Sequence, residues 1–250
     1  MGRPIRAAIT SALSSSPELL GWTRRAYCAL GLGTKTESDF LFALAKRQKN
    51  VFVLQVGAND GVSSDPIHPF VKNYKWQGLL LEPLPDIFEK LQRNYQNRAG
   101  VVLCNAALSD GDGSMTFYRI KPGPDIPEWC NGVGSFSRET ILSHKDRFPS
   151  IENHLVEQTV QALSFSAIVE KHDIKRIDVV MIDTEGYDYE VLKQIDFQRF
   201  RPSLVIYEQI HLNATVKKAS IELLNKAGYA VHNSYNMNLV GVRRGNVEAV

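Results

Sequence analysis

From residue 51 onward the sequence repeats one pattern: a short apolar run, a turn, then an amphipathic stretch. Residues 51–56, 78–82, 101–105, 177–182 and 203–207 are apolar almost throughout. Runs of this kind indicate strands covered on both faces, as in a parallel sheet flanked by helices. Helical spacing fills the intervals at 85–97 (Ile87, Phe88 and Leu91 inward), 168–172, 187–195 and 216–227. Asp65-Pro66 is a helix-start signal, which Pro69 close behind should delay. The chain closes with 229–233 and 238–243, joined by Tyr235-Asn236-Met237, a hairpin pattern. The expected fold is α/β, with a mostly parallel sheet and an antiparallel C-terminal hairpin.

Two stretches break the rhythm. Residues 115–120 alternate polar and apolar, which predicts an extra strand off the sheet edge; strand pattern returns at 159–163. Between them, 121–150 is interrupted by Pro122, Gly123, Pro124, Pro127, Gly132 and Gly134. A stretch this long without periodicity predicts a functional lid or a disordered loop.

Ahead of the repeat, residues 1–48 read as an N-terminal helical extension, and 49–250 as the main domain. Leu19, Trp22, Ala26, Tyr27 and Leu30 recur at helical spacing, and a second helix starts at Ser38, carries Phe40, Leu41 and Leu44, and ends in Lys46-Arg47. This pair is expected to pack on the main domain or on a second subunit of a homo-oligomer; peripheral membrane contact through a basic amphipathic face is the alternative. The first residues carry Arg3, Arg6 and several serines without an acid, loosely like a transit peptide, but are too weakly apolar for a secretory signal.

Composition excludes several classes. A formal net charge of +2 gives no basic face for nucleic acid, and no run approaches the ~20 apolar residues that span a bilayer. Cys28, Cys104 and Cys130 are far apart, without metal-finger spacing, which suits a reducing, cytoplasmic setting.

The chemistry gathers at the strand ends. Gln55-Val56-Gly57-Ala58-Asn59-Asp60-Gly61 follows the first strand, and its glycines permit a sharp turn with close backbone approach to a ligand. The second strand ends in Glu82-Pro83, where a carboxylate can accept both hydrogens of a ribose diol. Asn105-Ala106-Ala107 ends the third, where small residues leave room for a flat base. Together the three segments point to a nucleoside-bearing ligand.

With Ile182-Asp183-Thr184-Glu185-Gly186-Tyr187 and the strand ending in Glu208, these segments resemble FkbM-type methyltransferases over roughly residues 51–241. The resemblance implies a class I methyltransferase fold, Rossmann-like with seven strands. It also implies S-adenosylmethionine along Gly57–Gly61, Glu82 and Asn105–Ala107, and O-methylation of a glycan or natural-product small molecule. Gln55 departs from the acid common at its position in that class; Asp60 or a water is expected to compensate.

Asp183 and Glu208 both follow buried strands, and Glu185 and His211 lie close behind them, so the four are the expected catalytic group. Either Asp183 or His211 accepts a proton from the acceptor hydroxyl, or Asp183 and Glu208 hold a hard cation such as Mg²⁺. The metal-free scheme is preferred. Each residue also has a structural use: Asp183 as a helix cap, Glu185-Gly186 as a turn, His211 as a loop anchor. A nicotinamide-dependent Rossmann dehydrogenase shares the glycine turn and the ribose acid, but predicts neither the hairpin nor Asp-Thr-Glu-Gly. A catalytically silent methyltransferase-like binding module is the second alternative.

Overall fold

The computed structural model describes residues 35–234 and 237–245. The expected helix around Leu19–Leu30 and the tip residues Tyr235 and Asn236 lie outside them. The main sheet has seven strands: β1 (Phe52–Val56), β2 (Gln77–Leu81), β3 (Val101–Cys104), β8 (Val179–Ile182), β9 (Leu204–Glu208), β10 (Tyr229–Ser234) and β11 (Asn238–Arg243). Their order is β10-β11-β9-β8-β1-β2-β3. All pairings are parallel except those of β11, which runs antiparallel to both β9 and β10. This is the class I methyltransferase arrangement, with the strand order reversing at β1.

Residues alternate between the two faces of each strand, so the uninterrupted apolar runs build two cores. Leu54, Val56, Leu81, Val180, Ile182 and Val205 face α6 (Phe165–Lys171), α7 (Asp188–Gln194) and α8 (Ala214–Lys226). Val53, Leu80, Val179, Met181 and Ile206 face α1 (Glu37–Arg47), α2 (His68–Tyr74) and α3 (Pro85–Tyr95). Helix α2 does start late, with Pro69 in its first turn.

Helix α1 is tied into this frame. Its first turn is closed by Asp39, whose carboxylate accepts the Thr36 N–H at 2.8 Å, and Lys46 and Arg47 complement its C-terminal dipole. Phe40 and Leu41 are buried in the second core. The Glu37 N–H donates to Ser234 Oγ (3.0 Å), and Gln48 Nε2 donates to Asp178 Oδ1 (2.7 Å).

Between β3 and β8 the chain leaves the main sheet and builds a second one. Strands β4 (Ala107–Leu108), β5 (Gly113–Ile120), β6 (Gly134–Ser135) and β7 (Leu155–Leu163) assemble in the order β4-β7-β5-β6. The alternating segment is therefore not a strand off the main edge: it pairs antiparallel with β7 from Gly113↔Ala162 to Ile120↔Leu155. Nor is 121–150 structureless. It holds two 3₁₀ helices (Glu128–Gly132 and Ser143–Asp146), β6 and α4 (Arg138–Leu142), with α5 (Ile151–His154) just beyond. Ile120, Ile126, Cys130, Val133, Ile141, Phe148 and Ile151 give it a core of its own. Proline and glycine set its turns, and scattered single apolar residues fill it, so no period is visible. Among the described residues no helix is long and apolar enough to cross a membrane.

Candidate active site

A cleft opens beyond the carboxyl ends of β1, β2 and β8. The main sheet contributes Val56, Gly57, Asn59, Glu82 and Pro83 on one side and Asp183, Thr184 and Glu185 on another. The smaller sheet closes it with Phe117, Gly132, Gly134 and Phe136, and Ala106–Leu108 forms the remaining wall. Phe117 meets Phe136 edge-on at 5.1 Å, and Phe136 meets Tyr187 at 4.8 Å, so aromatic packing joins the two units over the cleft.

Gly57 is required by both backbone and space. Its φ is +81°, and a Cβ there would lie 1.8 Å from the carbonyl oxygen of Asp183. Gly57→Ala is expected to destabilise the protein by about 2–4 kcal/mol, read from the urea midpoint, because strain and overlap with backbone add. Gly132 plays a related part: a Cβ on it would overlap the Asn59 side chain, so the insertion packs directly on the glycine turn.

Glu82 is only 5 % exposed and is held by two backbone donors, Asn59 N to Oε2 and Leu84 N to Oε1, both at 2.9 Å. Burial pushes its carboxyl up to about 7. Asn105 braces this corner from behind, donating to the carbonyl oxygens of Glu82 (2.8 Å) and Pro83 (3.1 Å). Ala58 is buried beneath the turn in the second core. Gly61, at φ +72°, packs against Leu91 and Tyr95 of α3.

Gln55 and Asp60 do not line the cleft. Gln55 shares the face of Val53, and its Nε2 donates to Asp65 Oδ1 at 3.2 Å. Asp60 caps its own turn, accepting from the N–H groups of Val62 and Ser63 at 2.9 and 2.7 Å. The carboxylate that faces Gln55 is Asp65, pushed up to about 6 by burial. Its cue in the sequence is the helix-start pair Asp65-Pro66, which reads as structure.

The Asp183–Tyr187 segment is a strained turn. Glu185 (φ +49°) and Gly186 (φ +94°) both adopt left-handed backbone, and Ser135 Oγ of β6 donates to the Glu185 carbonyl at 2.7 Å. Asp188, fully buried, ties the turn to the next strand end. It accepts from Thr184 Oγ1 (3.1 Å), Gly186 N (3.2 Å) and Glu208 N (3.2 Å). Burial raises its carboxyl to about 6. In the sequence Asp188 reads as an ordinary first-turn acid.

Asp183 opens to the cleft yet sits deep among protein atoms. That desolvation, with the Glu185, Asp188, Asp65 and Glu82 carboxylates nearby, holds it well above the usual carboxylate range. Desolvation and the same acidic neighbourhood push Glu208 up to about 9. His211 Nε2 lies 3.0 Å from Glu185 Oε2 and 3.9 Å from Glu208 Oε2. The fold thus brings Asp183, Glu185, Glu208 and His211 into one neighbourhood. It adds His144, whose Nε2 is 3.9 Å from Glu185 Oε2. His144 arrives from the insertion, and nothing in its local sequence marks it.

The family model described as "Methyltransferase FkbM domain" matches residues 55–231. Methyltransferase sdnD of Sordaria araneosa is 26 % identical, over 74 % of this chain and 78 % of its own length. Hexuronic acid methyltransferase AglP of Haloferax volcanii is 27 % identical, over 76 % of this chain and 69 % of its own. Among solved structures, methyltransferase FkbM from Methylobacillus flagellatus shares the fold, with a TM-score of 0.51 and 11 % identity. That match covers 83 % of this chain and 48 % of the other. With the matched family model spanning both the glycine turn and the Asp-Thr-Glu-Gly turn, the chain belongs to the FkbM methyltransferase family.

Proposed function

We propose that this methyltransferase takes its methyl group from S-adenosylmethionine and passes it to a hydroxyl of a glycan or a hydroxylated small molecule. The observation that carries this reading is a cleft with a fixed carboxylate, Glu82, on one wall and a carboxylate open to the interior, Asp183, on another. The cleft suits such a cofactor: Gly57 leaves backbone room, Ala106 and Ala107 are small, and Glu82 keeps lone pairs for a ribose diol. When bound, the cofactor supplies a methyl group already activated on a positively charged sulfonium.

The chain's own residues then have two tasks. Glu82 and the glycine turn fix the donor, while Phe117 and Phe136 shield it from water. Asp183 receives the acceptor's hydroxyl proton at its carboxylate as the oxygen attacks, a step that general-base catalysis typically accelerates ~10²–10⁴-fold. Similarity to a hexuronic acid methyltransferase supports a sugar acceptor. A hexuronic acid offers hydroxyls and a carboxylate, and the hydroxyls are the groups that Asp183 can deprotonate.

Incubation with methyl-labelled S-adenosylmethionine and a panel of glycans, uronic acids and phenols tests the reading. Stoichiometric S-adenosylhomocysteine and a base-stable methyl ether are expected. A base-labile methyl ester, an N-methyl product, or no turnover with any acceptor rejects it. The last outcome, with cofactor still binding, would point to a silent module.

Cofactor affinity should depend on pH through Glu82. The groups that act on this carboxyl are Arg119, which lowers it, and Asp86, which raises it; Asp183 lies close enough to interact as well. With a carboxyl near 7, the diol-accepting ionised form dominates at pH 8 and is a minor species at pH 6. Affinity therefore rises with pH, by about tenfold over that interval. Calorimetry on wild type and Glu82→Gln separates this from titration of the ligand's own amino group. The variant should bind more weakly and lose the Glu82 contribution; identical profiles would remove Glu82 from the diol.

A further inference from the structure

Donor atoms from three distant parts of the chain meet beside the cleft. His144 comes from the 3₁₀ helix Ser143–Asp146, Glu185 from the strained turn after β8, and His211 from the segment after β9. One ligand-capable atom from each lies within 4.8 Å of the other two. We propose that His144, Glu185 and His211 form a site for one first-row divalent cation such as Zn²⁺, with Glu208 as a fourth donor.

The spacing fits. Zinc–nitrogen and zinc–oxygen bonds of about 2.1 Å in a tetrahedron set donor atoms about 3.4 Å apart. Glu185 Oε2 lies 3.0 Å from His211 Nε2 and 3.9 Å from His144 Nε2, and Glu208 Oε2 lies 3.9 Å from His211 Nε2. Small side-chain adjustments bring the His144, Glu185 and His211 atoms, all within 4.8 Å of one another, to ligand distances.

Two of the atoms also lack other work. His144 Nε2 and Glu208 Oε2 are buried without a hydrogen-bond partner among the described residues, and unpartnered buried polar atoms are costly. The ion pairs that Glu185 and Glu208 make are with histidine, so a cation would relieve the crowding of carboxylates here. The surroundings hold the donors in place. Ser135 pins the Glu185 backbone, and the Trp129 ring packs edge-on against the His144 ring at 5.4 Å. Two imidazoles with carboxylates select Zn²⁺, Co²⁺ or Fe²⁺ over Mg²⁺ and Ca²⁺, which favour all-oxygen shells. The site differs from the Asp183–Glu208 pair that the sequence offered as the less favoured, cation-binding alternative. What the cation would do there, orienting an acceptor oxygen and easing its deprotonation, rests on the methyl-transfer reading above; its binding does not.

Chelator-treated protein is titrated with Zn²⁺ by calorimetry and with Co²⁺ by visible absorption. One equivalent is expected to bind, with a Co²⁺ spectrum of mixed nitrogen and oxygen ligation. Removing a donor should weaken binding at least tenfold in His144→Ala, His211→Ala and Glu185→Gln, with His144→Gln and His211→Gln as gentler forms. Zn²⁺ should raise the melting temperature of the wild type but not of the histidine variants. No binding, or unchanged affinity in the folded histidine variants, overturns the proposal, the latter placing the ion elsewhere. Calorimetry of metal-free protein with S-adenosylmethionine runs in parallel. Cofactor binding without Zn²⁺ binding defeats the cation site alone; Zn²⁺ binding without cofactor binding defeats the donor assignment alone.

Discussion

Asparagine at position 183 is expected to slow methyl transfer by about 10²–10⁴-fold while cofactor affinity changes by no more than about threefold. The substitution preserves size and shape at the end of β8, so the turn through Gly186 and the carbonyl that Gly57 packs against stay in place. It removes the one property that the neighbouring amides cannot replace, a basic oxygen open to the cleft. The deficit should appear in kcat with the acceptor saturating, since the acceptor's other contacts are untouched. Single-turnover rates with labelled methyl donor, beside calorimetry for the cofactor, make the measurement. Near wild-type turnover would leave Asp183 as a structural residue at the start of its turn and remove the proton acceptor assigned to it.

Deleting residues 1–48 is expected to destabilise the protein by about 3–6 kcal/mol, the burial of two large side chains at about 1.5–3 kcal/mol each. Phe40 and Leu41 are buried at 3 % and 0 % exposure, in the core shared with Val53, Leu80 and Met181. The deletion also strips the donors to Ser234 and Asp178. We therefore propose that the folded unit includes α1 and does not begin at 49. Urea unfolding of the two truncations decides the matter: removal of 1–34 keeps the α1 contacts, and removal of 1–48 loses them. Equal midpoints would mean that α1 contributes nothing the main sheet needs.

Legibility in the sequence followed the physics of each element. The central parallel strands were readable because burial on both faces leaves no polar residue to interrupt the run, as in 78–81 and 179–182. The smaller sheet was hidden because β4 and β6 are two residues each and owe their pairing to tertiary contact, not to pattern. Gln55 stands at a strand end beside the cleft, but alternation turns its side chain to the α2 face, toward Asp65. Glu82, Asp183 and Glu185 could be read because each sits on or just past a strand of the parallel set. His144 could not, since its value comes only from meeting Glu185 and His211 in space.

The insertion between β3 and β8 gives the cleft two owners. Its floor is built on a sheet whose strands are locked on both faces, where almost any change disturbs a packed neighbour. Its roof, Phe117, Gly132, Gly134 and Phe136, is carried by the insertion, whose own small core lies behind it. It is joined to the main body where Phe117 packs with Leu84 and Ile87, Arg119 pairs with Asp86, Ser135 with Glu185, and Phe136 with Tyr187. Substitutions within 113–150 away from those joints and from Gly132 can thus reshape one side of the chamber while the foundation stays fixed. A chamber divided in this way lets a lineage change which molecule it admits without rebuilding the wall that holds Glu82, and it marks the roof as the place to begin when redesigning selectivity.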